Sequence, residues 1–472
     1  MSTMMNVYCR SPVWLQHFLV SAKGLHFRLR RQDTALTRKW WRFLLESQYW
    51  SQEQFVEYQL VQVRALLQIA FTHVPYYRRM SRELGCNAND FTSFSDFRQL
   101  PILKKNSLRG SERDFFNETV NLRRCYAGQT SGSTGTPIRY YASRDDFSRE
   151  SAFIARLRSW AGLSETIYPR RAQFTGRAIV PPNQPATRHV YWRHNYPGKA
   201  ILLSTSHISP ETVPHYVSAI QRFRPTLIDG YPSALVAIAR VADRLGVALP
   251  QPNAIITSAE TLLPAWREDI ETGFSCRVFD QYSSSEPSCF WCNCEEGGMH
   301  VNPECGISEI VRQDGSQVAP GEEGEVVTTS FLNHTTPLIR YCLGDVAVMG
   351  RNGECPCGRQ MPLVEKVVGR VDDIFFIPDR GYVGRLDPIF KGLRNIIEAQ
   401  IVQETLATIR VLIVPGDGFD ESVSEKLTEN LRAKVGKNVA IQCVLTDKIA
   451  RGANGKFRTV VSQVRHLYPD GM

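Results

Sequence analysis

Nowhere in its 472 residues does this chain approach the ~18 consecutive apolar residues of a membrane-spanning helix. The first apolar stretch, Val13 to Val20, is broken by Gln16 and His17 and lacks a cleavage-like end, so a secretory leader is not expected. No internal repeat and no low-complexity segment is found. The net charge of +9 is moderate and not concentrated, and no nucleic-acid-binding signature accompanies it, so nucleic acid is not an expected partner. A disulfide framework is also missing: seven of the twelve cysteines lie between Cys289 and Cys357, a local cluster in a long chain. A reducing cytoplasm is the expected compartment.

What is present is ordinary globular composition, 43% hydrophobic and 22% charged, in a length that calls for two or three domains. Residues 1–48 hold eight Lys/Arg (Arg10, Lys23, Arg28, Arg30, Arg31, Arg38, Lys39 and Arg42) against Asp33 and Glu46, interleaved with Trp14, Phe18, Phe27, Trp40, Trp41 and Phe43. Such a segment can lie on an anionic membrane or pack as a solvated helical face on the main body. Residues 52–74 and 145–162 show helical spacing. Residues 169–200 are rich in Pro, Arg and aromatics and read as irregular. From 210 strand and helix patterns alternate: a helix from Pro210 to about Phe223, a strand at 226–229, a helix over 232–246, a strand at 253–258, a helix over 262–272 and a strand at 277–280. Short connections between them argue for a parallel, doubly wound sheet, with ligands beyond the carboxyl ends of its strands. Residues 306–350 read as β-rich, and 370–472 as a smaller α+β unit.

Five constellations carry chemistry. Gln129-Thr130-Ser131-Gly132-Ser133-Thr134-Gly135-Thr136-Pro137 sits between two strand-like flanks; its backbone N–H groups and hydroxyls suit a polyphosphate, though composition alone fits a linker. Tyr282-Ser283-Ser284-Ser285-Glu286 puts a carboxylate at a strand end, where it could hold Mg²⁺ or cap a helix. Asp345, after Gly344, could accept both hydroxyls of a ribose or serve a turn. Cys355-Pro356-Cys357-Gly358 can present two sulfurs to one ion, with Cys289, Cys292, Cys294, His300 and Cys305 as candidates for two further ligands; four protein ligands would make a structural zinc. Lys456 sits on a glycine-flanked loop, Gly452 to Arg458, and Gly369-Arg370-Val371-Asp372-Asp373 could be a hinge.

In this order the motifs resemble the adenylate-forming (acyl-CoA synthetase-like) superfamily, and within it the phenylacetate–CoA ligase family. Pro75-Tyr76-Tyr77, Leu100–Lys104 and Cys355-Pro356-Cys357-Gly358-Arg359 carry the second resemblance. Ile228-Asp229-Gly230-Tyr231-Pro232-Ser233, His300-Val301-Asn302, residues 384–392 and Gly455-Lys456-Phe457-Arg458 resemble its capsule-cluster, CapK-type branch. The resemblance is expected to cover residues 60–465 and to leave out the first ~50. It implies an α/β fold: a large adenylate-forming domain with parallel sheets and a β-rich subdomain (51–369), and a small mobile α+β domain (370–472), after a basic extension (1–50). It implies that Thr130, Ser131, Gly132, Ser133, Thr134, Gly135 and Thr136 hold the ATP phosphates, with Tyr282 and Ser283 beside the nucleotide. Glu286 would bind Mg²⁺ and Asp345 the ribose. Arg359 or Arg370 would lie near the nucleotide or the domain junction, Asp372 would be the hinge, and Lys456 the mobile adenylation lysine. The zinc ligands would be Cys294, His300, Cys355 and Cys357.

Two departures stand out. Thr136 occupies the position after Gly135 where many superfamily members carry lysine, and the segment after Asp373 is unlike that of the aryl-CoA ligases. The expected activity is therefore an ATP-dependent, AMP-forming ligase of a small carboxylic acid, with CoA, an amine or a sugar as acceptor, in capsule or polysaccharide synthesis. A true aryl-CoA ligase and a non-catalytic scaffold recruited to a membrane-bound assembly through residues 1–48 are the alternatives.

Overall fold

The computed structural model describes residues 8–31, 33–108, 111–129, 139–175, 179–181, 189–205, 207–351, 355–370, 375–379, 381–383, 386, 389, 393, 395–416, 418–451, 457–464 and 467–468. It falls into two compact units. One comprises Lys23–Tyr168 and Phe279–Val368; the other comprises Met1–Ala22, Pro169–Val278 and Gly369–Met472.

In the first unit the helix Gln52–His73 starts at a reciprocal cap between Ser51 and Gln54. Its stripe of Phe55, Val63, Leu66, Leu67 and Ala70 is buried. Pro75 then opens a second helix, Pro75–Leu84, which ends on Gly85 in the left-handed conformation at φ 62°. These helices share a core with Phe115, Trp291, Ile310 and Tyr341, on antiparallel strands Gly306–Val311, Glu323–Ser330 and Tyr341–Met349. Phe290–Asn293 pairs antiparallel with Val278–Ser283 and with Met299–Val301. The buried hydroxyl of Tyr77 donates to the Pro337 carbonyl at 3.2 Å and accepts from the Ile339 N–H at 3.0 Å, fixing the chain just before Tyr341.

The helix Thr34–Ser47, capped by Asp33, packs on the helix Arg144–Trp160, so this part of the basic segment belongs to the folded body. Beneath it lies a charged core. Arg156 and Glu304 pair at 2.7 Å, both with fully buried side chains. Arg156 also donates to the Leu44 carbonyl at 3.1 Å and to Asn302, and the Ser47 hydroxyl donates to Glu304 at 2.6 Å. Removing one partner of such a pair leaves an uncompensated charge in the interior.

In the second unit four strands run parallel. Arg171–Thr175 lies between Ala200–Ser204 and Leu227–Gly230, and the latter pairs with Ala254–Ser258. The helices Val213–Phe223, Pro232–Arg244 and Pro264–Phe274 cover the face bearing Ala172, Phe174, Ile201, Leu203, Ile228 and Ile255. Val20, on the helix Val13–Arg31, packs beside Ala200 and Leu202, which point the other way. Two expectations are corrected here. The 169–200 stretch is not irregular: it contains the strands Arg171–Thr175 and Trp192–Asn195, the first alternating Arg, Ala, Gln, Phe in a two-residue period that flanking Pro and Arg obscure. The helix expected from Pro210 begins at Val213, because Thr212 turns back to the His207 carbonyl at 2.6 Å and Pro214 takes a first-turn position.

The C-terminal part has the strand order Ala440–Leu445, Thr408–Pro415, Ile396–Thr405, Val460–Ser462, with the helix Glu421–Val435 contributing Leu427, Leu431 and Val435 to its core. Arg240, on the helix Pro232–Arg244, donates to the carbonyls of Ile396 at 2.5 Å and Ile397 at 2.9 Å, and to Asp269 at 2.8 Å.

The buried pair yields a first expectation. Arg156→Leu should cost about 3–5 kcal/mol, read as a lower urea midpoint for loss of Trp fluorescence, because Glu304 is left buried without its partner. A midpoint unchanged from the parent would show that the pair does not stabilise the fold.

Candidate functional site

The strands Tyr126–Gln129 and Arg139–Ala142 form an antiparallel hairpin whose last pair is Gln129 with Arg139. Residues 130–138, with Thr130 to Thr136 of the Ser/Thr/Gly loop among them, follow Gln129 in sequence and lie outside the described residues. Gly128 gives the Tyr140 ring its place, since a Cβ there would sit 2.2 Å from the ring and force it to move. The hairpin is tied to the segment leading to Asp345. The Tyr141 N–H donates to Thr336 at 3.0 Å, and its carbonyl accepts from Asn333 at 3.0 Å and from Thr336 at 3.1 Å.

Arg340 follows in the left-handed region at φ 47°, unusual for a branched, charged side chain. Its buried guanidinium makes two 3.0 Å bonds to Glu309 and also donates to the carbonyls of Arg98 and Leu100. Beyond it, two tyrosines exchange partners. Tyr282, from the Glu286 segment, donates to Asp345 at 2.7 Å; Tyr341, from the Asp345 segment, donates to Glu286 at 3.3 Å. Glu286 is buried. Burial, then the charges of Asp345 and Glu286, push the thiol of buried Cys289 up, so both carboxylates bear on the same interior point. Tyr282 rests on the fully buried Trp291, ring centroids 4.5 Å apart.

Lys105 is a residue that the motif reading passed over as a candidate. Leu103 bridges to Tyr341, with Leu103 N–H to Arg340 O at 2.8 Å and Cys342 N–H to Leu103 O at 2.9 Å. This places Lys105 beside Gly344 (φ +71°), where a Cβ would lie 3.7 Å from the Lys105 Nζ. Only the Leu-Pro-Ile-Leu-Lys-Lys string hinted at it.

The cysteine cluster assembles as one group. The ligand atoms of Cys294, His300, Cys355 and Cys357 all lie within 4.8 Å of one another. Cys294 and Cys355 Sγ are 3.6 Å apart, and Cys357 Sγ is 3.3 Å from His300 Nε2. His300 Nδ1 faces the Met361 carbonyl at 3.3 Å, which leaves Nε2 toward the sulfurs. Burial lowers the His300 pKa to about 4, keeping the ring neutral as a ligand must be. Burial pushes the Cys294 thiol up to about 12; at Cys357 burial acts the same way but is outweighed by the Arg359 N–H and guanidinium, and the thiol falls below its ordinary range. Gly298 leaves the space: a Cβ there would stand 3.0 Å from Cys355 Sγ and 3.4 Å from His300 Nε2. Arg359 is buried in this surround. It donates to Glu295 at 2.8 Å and Gln48 at 3.0 Å and stacks over Trp160 at 4.3 Å. Cys289, Cys292 and Cys305 are buried outside the group.

Lys456, Asp372 and the side chain of Arg370 lie outside the described residues. Arg451 and Phe457, the described residues nearest Lys456 on either side in sequence, meet Ser233 and Glu260. Arg451 donates to the Ser233 hydroxyl at 3.3 Å and pairs with Glu398. Glu260 accepts from the Ser233 N–H at 3.1 Å and the Phe457 N–H at 2.5 Å. Its enclosure raises its pKa, against the pull of these donors and of Arg451.

Residues 375–463 match the CapK C-terminal domain family. "Protein CapK" of Staphylococcus aureus is 27% identical over 471 aligned positions, covering 97% of this chain and 99% of that protein. The chain is a CapK-type relative of the phenylacetate–CoA ligases. The near-complete alignment also corrects the expectation that the first ~50 residues fall outside the resemblance. The phenylacetate–coenzyme A ligase of Thermus thermophilus is 23% identical over 84% of this chain and 94% of its own. Among solved structures, a 2-hydroxyisobutyryl-CoA ligase in its postadenylation state, in complex with 2-HIB-AMP, superposes with a TM-score of 0.68 at 20% identity, over 89% of this chain and 92% of its own. The fold is thus the α/β fold of the adenylate-forming CoA ligases, with an α+β C-terminal part.

Proposed function

We propose that this chain activates a small carboxylic acid with ATP, as the acyl-adenylate, and passes the acyl group to an acceptor, in capsule or polysaccharide synthesis. The observation that carries this reading is the exchange of tyrosine partners between the Glu286 and Asp345 segments, which joins two motifs that lie far apart in sequence.

A carboxylate is a poor electrophile because its leaving group would be oxide. Its oxygen instead attacks the ATP α-phosphorus; a new O–P bond forms and pyrophosphate departs with the electrons of the broken one. The acceptor then attacks the acyl carbon and AMP leaves. Negative charge builds on the phosphate oxygens in the first step, so fixed positive charge and N–H donors there lower its barrier. Residues 130–136 would hold the phosphates through backbone N–H groups and hydroxyls, and Asp345, oriented by Tyr282, the ribose. Glu286, an oxygen donor oriented by Tyr341, fits Mg²⁺, which when bound supplies charge neutralisation. Lacking a lysine after Gly135, the loop leaves the remaining charge to Lys456 and to Lys105 beside Gly344. Relatives named as CoA ligases support CoA as acceptor; the segment after Asp373, unlike that of the aryl-CoA ligases, keeps an amine or a sugar open.

ATP–pyrophosphate exchange, run with a panel of carboxylic acids, should appear with one class of acid. Lys456→Ala should lower it by about 10³-fold or more, Lys105→Ala by about tenfold. Exchange at the parent rate in Lys456→Ala would remove this mechanism, and absence of exchange with every acid would favour the scaffold reading.

Cys294, His300, Cys355 and Cys357 fit a tetrahedral structural zinc: the atoms are close together, His300 is neutral, Gly298 clears the space, and four protein ligands leave no open position. Protein purified without chelator should carry about one zinc per chain, falling below about 0.2 in Cys355→Ser with Cys357→Ser. Full-length protein with no zinc and no thiolate-to-metal absorption on adding Co²⁺ would dismiss the site.

Peripheral membrane contact through residues 1–48 is favoured by one helix. Val13–Arg31 is held on one side by Gln16 to Arg193 and by Ser21 to the His194 carbonyl at 3.0 Å. On the other, Trp14 (69% exposed), Phe18 (63%) and Leu29 (65%) face outward, flanked by Lys23 and Arg28. No helix among the described residues is long and apolar enough to cross a membrane. Binding to vesicles with 30 mol% phosphatidylserine should weaken about tenfold in Trp14→Ser with Phe18→Ser, and equal binding by that variant would exclude this helix as the anchor.

A further inference from the structure

The turn after the helix Thr34–Ser47 is bound to the surround of the cysteine cluster by one side-chain amide. Gln48, a buried residue, is the C-cap of that helix. Its Oε1 accepts from Arg359 Nε at 3.0 Å and from Trp160 Nε1 at 2.8 Å, and its Nε2 donates to the Leu45 carbonyl in the last helical turn at 2.6 Å. Two N–H donors converge on one atom, so that atom is the oxygen, and both of its acceptor positions are taken. Close by in sequence, the Gln52 N–H, at the start of the helix Gln52–His73, donates to Gln360 Oε1 at 3.3 Å. Residues 48–52, the corner between two helices, are thereby tied to the residues that follow Cys357.

Arg359 makes this tie and also faces the cluster. Its guanidinium bears on the Cys357 sulfur, and its Nη1 donates to both oxygens of Glu295 at 2.9 and 2.8 Å. The Trp160 ring, 4.3 Å from the guanidinium, meets the His300 ring at 72° with centroids 6.0 Å apart. A divalent ion with three thiolates and a neutral imidazole carries one net negative charge, and burying that charge is costly unless a cation stands beside it. Arg359 is such a cation: it is buried, permanently charged and directed at Cys357. Glu295 offsets it only in part, because its side chain is 40% exposed and solvent screens it.

We propose that Arg359 is the positioning residue that couples the metal site to the helix Thr34–Ser47: the thiolate charge of the loaded site holds the guanidinium, and the guanidinium holds Gln48 and the end of the helix. This rests on the zinc reading of Cys294, His300, Cys355 and Cys357. Coupling of this kind is reciprocal, so whatever zinc adds to the hold on the corner, an intact corner adds to the affinity for zinc. A bound ion then fastens more than its own loop, since the helix Thr34–Ser47 belongs to the basic N-terminal segment.

Two measurements on the full-length chain test it, with Arg359→Leu, Arg359→Lys and Gln48→Leu. In competition with a chromophoric zinc chelator, Arg359→Leu should raise the zinc Kd about 10–100-fold, and Gln48→Leu about threefold or more although it is far from the ligands in sequence. Arg359→Lys keeps the charge without the planar fork and should recover part of the affinity. Hydrogen–deuterium exchange of peptides covering residues 42–52 gives the coupling. In the parent, zinc removal should speed exchange there about tenfold, with Pro75–Leu84 unchanged; in Arg359→Leu exchange should be fast with or without zinc. A merely structural Arg359 would speed exchange in the variant while leaving the zinc Kd at the parent value, and that result overturns the proposal. So does a parent that binds zinc but exchanges residues 42–52 at one rate with and without it. If Arg359→Leu does not fold, Gln48→Leu decides by the same two readings. A parent that takes up neither zinc nor Co²⁺ ends the zinc reading itself, and the coupling with it.

Discussion

The candidate site hangs on the path of one segment, Asn333 to Asp345, and that path depends on Arg340. A long cationic side chain is buried there with its backbone in the left-handed region, two costs at once. Both are met by the bidentate pair with Glu309 and by the carbonyls of Arg98 and Leu100. Tyr77 holds Pro337 and Ile339 on the approach, and Asn333 and Thr336 hold the strand Arg139–Ala142 at Tyr141. Past Arg340 the next residue, Tyr341, reaches Glu286, and Asp345 meets Tyr282. Loss of the Arg340–Glu309 pair would release all of these together, since they are successive contacts on a single strand of chain.

Pro75-Tyr76-Tyr77 and Pro337-Leu338-Ile339-Arg340 therefore have a shared physical meaning. They look like unrelated family signatures, but the tyrosine hydroxyl of one holds the backbone of the other. The Leu100–Lys104 string belongs to the same arrangement: Leu100 gives Arg340 a carbonyl, and Leu103 brackets Tyr341 with backbone bonds to Arg340 and Cys342. Signatures that sit far apart in a chain can mark one packing problem, and here each solves part of holding two carboxylates in place.

How much of this could be read beforehand follows from the range of each interaction. The Ser/Thr/Gly loop between strands, the Cys-x-Cys turn and the helix Gln52–His73 are local patterns, and the structure has a hairpin, a four-ligand cluster and a helix at those positions. Gly298 was invisible because its reason lies in the Cys355 and His300 atoms around it, not in its neighbours in sequence. The Arg156–Glu304 pair joins residues 148 apart, and no period or spacing announces it. Arg171–Thr175 was hidden because it is a single short strand among prolines and arginines, recognisable only once the strands on either side of it are in place. Glu260 belongs to the same class: a carboxylate after a strand is unremarkable until Phe457 arrives from nearly 200 residues on, at a separation of 197.

The missing loop lysine gives these distant contacts their weight. Where a phosphate loop carries its own lysine, the charge comes with the cradle and needs no further placement. On the proposed reading, this chain has Thr136 there instead, and the positive charge would come from residues whose position depends on other contacts. Lys105 is set by backbone pairing of Leu103 on the Asp345 strand, a rigid attachment. Lys456 lies outside the described residues, but Arg451 and Phe457, the described residues nearest it in sequence, are held by a few polar bonds and one buried ring. A rigidly attached cation and a second one from a separate segment would suit the proposed two-step reaction. Charge on the phosphates is needed throughout the first step, but a lysine that stayed in place would occupy space that the acceptor needs in the second.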